Sequence, residues 1–519
     1  MADWAAGYVT EVNYTQGYYR ELSPLAMQFA LTCAGFKAPA LDKFSYCELG
    51  FGQGLSLNFH AAVHGEAGHF FGADINPAHV AIARETATLS QATLDVCDQS
   101  FAELLARNDL PQFDYIGFHG VWSWISADNQ ANMVEFLRRH LKVGGVVYTS
   151  YNCLPGWANG MPLRQLMVDY ARHAASPAGN AIARAKEAVE FAQKMAGLDL
   201  GFFQNAPALK DKLDGIAKQN GNYLVHEYFN QDWTPMYFSE VAEHMAQAKL
   251  DYAASSHLID QIDTYRLPQK GSAMLAEIKH PVMRETVRDF LLNQQFRRDL
   301  FVRGARRLSA PEQRRALEAT RFVLMKRPET LLDPAGEAAR RGIPEKLRQA
   351  LVQGLAADGG QAKSLGELLA TPDCQGFAWP VIRQAMMVMT SFQDISLALP
   401  AAVSEQAAAA CRRLNEALCG RAAEGNESSY LCSPVTGGGV TVGALQQLVL
   451  QARAELGQAA DTKALTTAAW ARLSQLGQRV VTGGKTCETP EDNLAALQRI
   501  TDDFVERDLP VLQGLGIGI

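Results

Sequence analysis

CELGFGQGLSLNF, residues 47–59, places Gly50, Gly52 and Gly54 at alternate positions directly after a short apolar run, with Glu48 two residues before the first glycine. KFSYCELG reads as a strand entering a tight turn, and SLNFHAAVHG reads as the helix that follows. Strand, glycine loop and helix open a nucleotide-binding α/β unit. Glycine suits the loop because it takes left-handed backbone angles and lets a ligand approach the main chain. A dinucleotide fingerprint, G-x-G-x-x-G, would need its third glycine at position 55. That position holds Leu55, and the third glycine is Gly54.

The same rhythm continues downstream. HFFGADINPAHVAIARETA (69–87) reads as a strand ending at Asp74, then a helix with Pro77 in its first turn. An acid one βα unit after the glycine loop is placed to accept hydrogen bonds from ribose hydroxyls; the competing reading of Asp74 is a helix N-cap. ATLDVCDQSFAELL (92–105) gives a third strand ending at Asp98, FDYIGFHGVWSWIS (113–126) a fourth ending near His119, and LKVGGVVYTSYNCLPGW (141–157) a fifth. These repeats predict an α/β fold with a doubly wound sheet and its ligand at the carboxyl ends of the strands.

E-x-G-x-G-x-G, running from Glu48 to Gly54, is similar to motif I of the class I S-adenosylmethionine (SAM) methyltransferases. The cofactor expected is therefore SAM. The residues expected to bind it are Tyr14, Tyr18, Tyr19, Glu48, Gly50, Gly52, Gly54, Asp74, Asn76, Asp98, Phe101 and His119. Asp98 stands where an acid reads the adenine amino group, and Phe101 either packs on adenine or belongs to the core. Tyr14, Tyr18 and Tyr19 precede the first strand, where a segment can fold over the cofactor or form a packed helix face.

A class I sheet has seven strands. NYLVHEYFN (222–230) is expected to be the sixth and DYAASSHLI (251–259) the seventh, with TPMYFSEVAEHMAQAKL as the amphipathic helix between them. An insertion at 157–220 shows apolar residues at three-to-four spacing in MPLRQLMVDYARHAA and IARAKEAVEFAQKMAG, broken by SPAGN. Such a helical hairpin suggests a homodimer; a lid or a plain core hairpin are the alternatives.

YTQGYYRELSP (14–24), FHGVWSWIS (118–126), SYNCLPGW (150–157) and VHEYFNQDWTPMYFSEVA (225–242) resemble the bacterial methyltransferases that carry a methyltransferase regulatory region. That family includes protein-lysine methyltransferases acting on outer-membrane proteins. The resemblance covers residues about 10 to 310 and continues faintly through PEDNLAALQRI (490–500). It implies a SAM domain, a helical dimerisation insertion and winged-helix-like C-terminal regions. The expected boundaries are 1–156, 157–220, 221–262, 263–400 and 401–519.

The activity implied is protein-lysine N-methylation, with an outer-membrane protein as substrate. A small-molecule or glycan-precursor methyltransferase, and a SAM-binding regulator without turnover, stay open as alternatives. Catalytic candidates are His119, as a contact to SAM or a base; Trp122 and Trp124, as pocket walls past strand 4; and Tyr151 and Asn152, placed after strand 5 to orient an acceptor amine. Trp157 and Tyr228 add to the aromatic supply. His226 and Glu227 are adjacent on the expected sixth strand, where neighbours face opposite ways, so they are not read as a dyad. No metal site is expected.

Beyond 263 the chain reads as mostly helical. QQFRRDLFVRGARRLSAPEQRRALEATRFVLMKRP (294–328) is arginine-rich and offers a basic face for an acidic protein, or else a solvated helix face or internal salt bridges. IPEKLRQALVQGLAADGGQAKSLGELLA (343–370) and FAWPVIRQAMMVMTSFQDISLAL (377–399) suggest helices with short strands. SSYLCSPVTGGGVTVG (428–443) suggests a hairpin turning at Gly437–Gly439.

The chain's 519 residues call for about three or four domains. A net charge of −7 argues against nucleic acid as partner. The nine cysteines form no C-x-x-C pair and fit reduced thiols in a cytoplasm. MADWAAGYVTEVNY is not a signal peptide, and no apolar run of membrane-spanning length occurs.

Overall fold

The computed structural model describes residues 7, 17–424 and 428–518. Its centre is a seven-stranded mixed sheet. The strands are β1 (Phe44–Leu49), β2 (Gly68–Ala73), β3 (Asp95–Cys97), β4 (Phe113–Phe118), β5 (Leu141–Asn152), β6 (Leu250–Ser255) and β7 (Phe296–Arg303). Their spatial order is β3-β2-β1-β4-β5-β7-β6. The first five are parallel, and β7 runs antiparallel between β5 and β6. Alternate residues supply the two cores: Phe44 and Tyr46 of β1 and Leu300 of β7 face one way, and Cys47, Leu49 and Phe301 the other. A strand covered on both faces needs no polar side, which is why β1 is buried throughout.

The helices around this sheet are α1 (Pro24–Cys33), α2 (Leu55–His64), α3 (Pro77–Ser90), α4 (Phe101–Ala106) and α5 (Ala127–His140). After β5 the insertion supplies α6 (Met161–His173), α7 (Ala181–Gly197), α8 (Gly201–Asn205) and α9 (Ala208–Ala217). Tyr170 of α6 stacks on Phe191 of α7 at 4.3 Å between ring centroids. Asn180 of SPAGN caps α7 by accepting from the Ala183 N–H. The insertion has its own apolar core around Met167, Ala188 and Leu213.

Two expectations are corrected here. NYLVHEYFN is not a strand. It forms α10 (Gly221–Tyr228), capped by Asn220, which accepts from the Asn222 N–H at 2.9 Å. Leu224, Val225 and Tyr228 are buried at helical spacing, and a short aromatic run fits either period. After α11 (Phe238–Gln247), DYAASS does form a strand, β6. The remaining strand comes from the arginine-rich stretch that reads as helix. In β7, Arg297 and Asp299 are both buried and bonded to each other at 2.8 Å, so this part of the stretch carries internal salt bridges and not a solvated face. The boundary expected at 262 therefore falls within the sheet.

Between β6 and β7 come α12 (Asp263–Arg266), α13 (Gln269–Glu277) and α14 (Pro281–Leu292). The C-terminal region is largely helical, with a small sheet from Arg321–Leu324, Lys363–Ser364 and Ile395–Ala398. Its long helix, Ala401–Ala423, rests on α2 and α3, where Arg413 donates to the Ser90 carbonyl at 3.0 Å. The hairpin pairs Tyr430–Ser433 with Gly438–Thr441. Its turn lies slightly earlier than expected, since Gly438 and Gly439 belong to the second strand. No described helix is long and apolar enough to cross a membrane.

Candidate active site

The glycine loop joins β1 to α2, and all three of its glycines take left-handed angles: φ is 67° at Gly50, 60° at Gly52 and 74° at Gly54. A Cβ on Gly50 would lie 2.5 Å from Val121, and one on Gly54 would lie 2.8 Å from Ala83. A Cβ on Gly52 would meet no protein atom within 4 Å. Close packing thus requires the first and third glycines, and the middle one leaves room beside the main chain for a ligand.

Asp74 follows β2 and fixes this loop. Its carboxylate accepts from the Gly52 N–H at 2.8 Å and from the Asn76 N–H at 2.9 Å, and lies 3.1 Å from His79 Nδ1. Both oxygens retain lone pairs for a ribose diol. Asn76 is a helix cap, accepting from the Ala78 N–H at 3.0 Å. Glu48 is buried on β1 and accepts from the Tyr46 hydroxyl at 3.1 Å. Burial pushes its carboxyl up to about 8. A buried neutral acid of this kind ionises readily when a cation arrives. Asp98 is exposed just past β3, and Phe101 is half-buried against the core at the start of α4. Glu48, Asp74, Asp98 and His119 thus mark the carboxyl ends of four adjacent strands. A loop cradle open at Gly52, a buried carboxylate for the diol and a buried acid for a cationic amine fit SAM.

His119 follows β4. Tyr19 stacks on its ring at 3.8 Å, and its Nδ1 lies 2.8 Å from the Tyr148 hydroxyl. Burial lowers the imidazole to about 4, so at neutral pH it is uncharged and a poor base. The Tyr19 N–H donates to Ser56 Oγ at 3.0 Å, which ties the N-terminal segment to α2 directly beyond the glycine loop. The Gly120 N–H donates to Ser150 Oγ at 2.8 Å and fixes the turn after His119.

Other candidates take different places. Tyr14 lies outside the described residues. Tyr18 is buried against Phe59 and Tyr430, 5.5 and 5.9 Å away, so it packs the C-terminal hairpin onto α2. Trp122 is fully buried among Phe118, Met133 and Phe238, a core residue and not a pocket wall. Tyr151 is buried and donates to Asp299 at 2.6 Å, so its hydroxyl is committed inside the sheet. Its partner Asp299 belongs to a cluster in which Arg297 also reaches Asp289 at 2.5 Å and Glu285 at 3.1 Å. The Asn152 main chain bonds Ser123 Oγ at 2.9 Å and the Met236 N–H at 3.3 Å. His226 is buried and Glu227 half-buried on α10, consecutive on a helix and not aimed together.

Trp124 has a neighbourhood that sequence does not reveal. Its ring lies 6.2 Å from Trp233; Trp233 meets Trp157 edge-on at 5.1 Å, and Trp157 meets Tyr228 at 6.4 Å. The Thr234 N–H donates to the Ser123 carbonyl at 2.8 Å, which, with the bonds of Asn152, knits together the segments after β4, after β5 and before α11. Trp233 and Tyr148 went unnoticed in the sequence because their partners are remote along the chain.

A family model described as "Methyltransferase domain" matches residues 47–145, and one described as "Predicted methyltransferase regulatory domain" matches residues 220–303. The uncharacterized protein sll1526 of Synechocystis sp. is 37% identical over 520 residues, covering 99% of each chain. RP789 of Rickettsia prowazekii is 27% identical over 56% of this chain and 51% of its own. Among solved structures, PKMT2 from Rickettsia typhi in complex with AdoHcy covers 97% of this chain and 100% of its own, with a TM-score of 0.70 at 16% identity. The glycine loop, the acids at the strand ends and these matches place the chain in the family of class I SAM-dependent methyltransferases that carry a methyltransferase regulatory domain.

Proposed function

We propose that this methyltransferase transfers a methyl group to lysine side chains of a protein substrate. The observation that carries this reading is the cluster of aromatic rings formed by Trp124, Trp157, Trp233 and Tyr228 beyond β4 and β5. Aromatic faces attract ammonium and methylammonium groups, and a dry aromatic wall also favours the neutral amine that must attack. The resemblance to bacterial protein-lysine methyltransferases supports the same substrate, as does a likeness in fold to PKMT2 that runs along almost the whole chain.

SAM supplies an electrophilic methyl on a sulfonium, and the transfer is an in-line displacement. The chain has to align the two partners and exclude water. Asp74 and the glycine loop hold the nucleoside end. Ionised Glu48 neutralises the cationic amino acid end. Tyr19 and His119 cover the site from the N-terminal side. A lysine at pH 7 must lose its proton, at a cost of about 4.6 kcal/mol from a reference pKa near 10.4. Desolvation between tryptophans and repulsion by the sulfonium both lower that cost, so the uncharged His119 need not act as base. The residues beyond Arg303 would position the protein substrate, an outer-membrane protein by resemblance, and the insertion would mediate a homodimer.

The test is incubation of the purified protein with methyl-labelled SAM and extract of the source cell, followed by hydrolysis of the protein fraction. Label recovered as methylated lysine is the expected result. Label confined to small molecules would overturn the lysine assignment.

A further inference from the structure

The aromatic cluster already carries a lysine on one of its rings. Lys212 of α9 places its Nζ 3.9 Å from the centre of the Trp157 ring. Gly160 makes the approach possible, because a Cβ there would stand 2.8 Å from that nitrogen. Glu227, half-buried on α10, favours the charged form of Lys212, while burial raises its own carboxyl to about 7 against the pull of that lysine. The other cation of the cluster, Arg164, lies over Trp233 at 4.8 Å and is fixed by donating to the Asn230 carbonyl. Lys212 has no such tether among the described residues: aromatic and electrostatic attraction hold it.

The cluster lies just past the ends of two strands of the site. Trp124 follows β4 five residues after His119, and Trp157 follows β5 five residues after Asn152. One lysine-sized cation therefore sits between the insertion and the ends of the two strands that border the site.

We propose that the face of Trp157 that Lys212 covers, beside Trp233, Tyr228 and Glu227, is the seat of the acceptor amine, and that Lys212 occupies it as an internal mimic until a substrate lysine displaces it. This rests on the lysine reading above. It gives the insertion a role at the site: α9 carries a plug that any acceptor must outcompete. Burial lowers Lys212 from its usual range while Glu227 works against that shift, as expected for an ammonium drawn partly out of water. A cation on an aromatic face contributes about 0.5–2 kcal/mol, small enough for a substrate lysine to overcome.

The experiment is calorimetric titration of Nε-trimethyl-lysine amide into the full chain loaded with S-adenosylhomocysteine. Wild type is compared with Lys212→Met, Lys212→Gln and the double variant Lys212→Met/Trp157→Leu. Both single variants should bind the probe about fivefold or more tightly than wild type, and the double variant should lose that gain. Equal affinity in wild type and both single variants would overturn the proposal. So would a gain that survives Trp157→Leu. S-adenosylhomocysteine affinity, measured first, reports on folding and on the cofactor site. Wild type that fails to bind it defeats the methyltransferase reading itself, an outcome separate from the probe result.

Discussion

The ring of Tyr19 lies on the imidazole of His119, centroids 3.8 Å apart and planes 21° from parallel, while His119 Nδ1 meets the Tyr148 hydroxyl at 2.8 Å. A residue that precedes the first strand is thereby fastened to the end of the fourth. Burial keeps the imidazole uncharged at neutral pH by lowering its pKa to about 4.

Tyr19→Phe keeps the stacked ring and should leave the KM for SAM within about twofold. Tyr19→Ala removes a contact worth about 0.5–1.5 kcal/mol, and should raise that KM roughly three- to tenfold. Steady-state kinetics at pH 7.5 separates the two. Equal losses in both variants would point to the hydroxyl and not the stack.

Glu48 sets a pH dependence. Its ordinary value of 4.5 is raised to about 8. Between those values the folded chain keeps a proton that the unfolded chain has released, so this group lowers stability as pH rises across that window. A bound cation favours the carboxylate, so SAM should bind more tightly as pH rises towards 8, with proton release. Calorimetry in buffers of different ionisation enthalpy measures that release. Glu48→Gln should abolish it, weaken SAM about tenfold and raise Tm at pH 8 more than at pH 5.

Gly50→Ala and Gly52→Ala should differ. Both place Cβ at a left-handed φ, which costs about 1–2 kcal/mol. Only Gly50 adds a Cβ 2.5 Å from Val121. Thermal melts without cofactor should show the larger loss of Tm for Gly50→Ala. Gly52→Ala should fold and lose mainly SAM affinity.

Arg297→Met should destabilise the chain by about 3–5 kcal/mol, because it strands Asp289, Asp299 and Glu285 around a vanished cation. The loss should shrink at pH 5, where the stranded carboxyls protonate. Urea melts at pH 5 and 8 give the comparison.

Leu198 and Leu200 are 63% and 68% exposed at the end of α7, next to Phe202 at 42%. If the insertion joins two copies, Leu200→Asp should convert a dimer to a monomer in light scattering. An unchanged mass would remove the insertion as the interface.

What the sequence discloses and what it conceals divide along a physical line. Gly50, Gly52, Gly54 and Asp74 are legible because few residue types can satisfy a left-handed turn followed by a buried acceptor. β7 is hidden because Arg297 and Asp299 neutralise each other inside the sheet, and nothing local reveals a charge that is paired. α10 is hidden because Tyr223, Leu224, Val225 and Tyr228 suit a strand as well as a helix until tertiary packing decides. Trp122 and Trp124, two residues apart, separate into core and aromatic cluster; only the partners Phe118 and Trp233 distinguish them. The meeting of Lys212 with Trp157 spans 55 residues and three helices, beyond the reach of any motif.

The position of β7 between β5 and β6 has a consequence for how the chain is born. When β5 leaves the ribosome its outer edge has no neighbour, and β6 emerges later without one. Both wait for Phe296–Arg303, about 150 residues after Asn152. At bacterial elongation rates that interval is roughly 8–30 s, long enough for an open strand edge to pair with the wrong chain. The nascent chain should therefore depend on chaperones until residue 303 is clear of the ribosome. A fragment ending near 265 should aggregate, because its sheet would lack the strand that closes it.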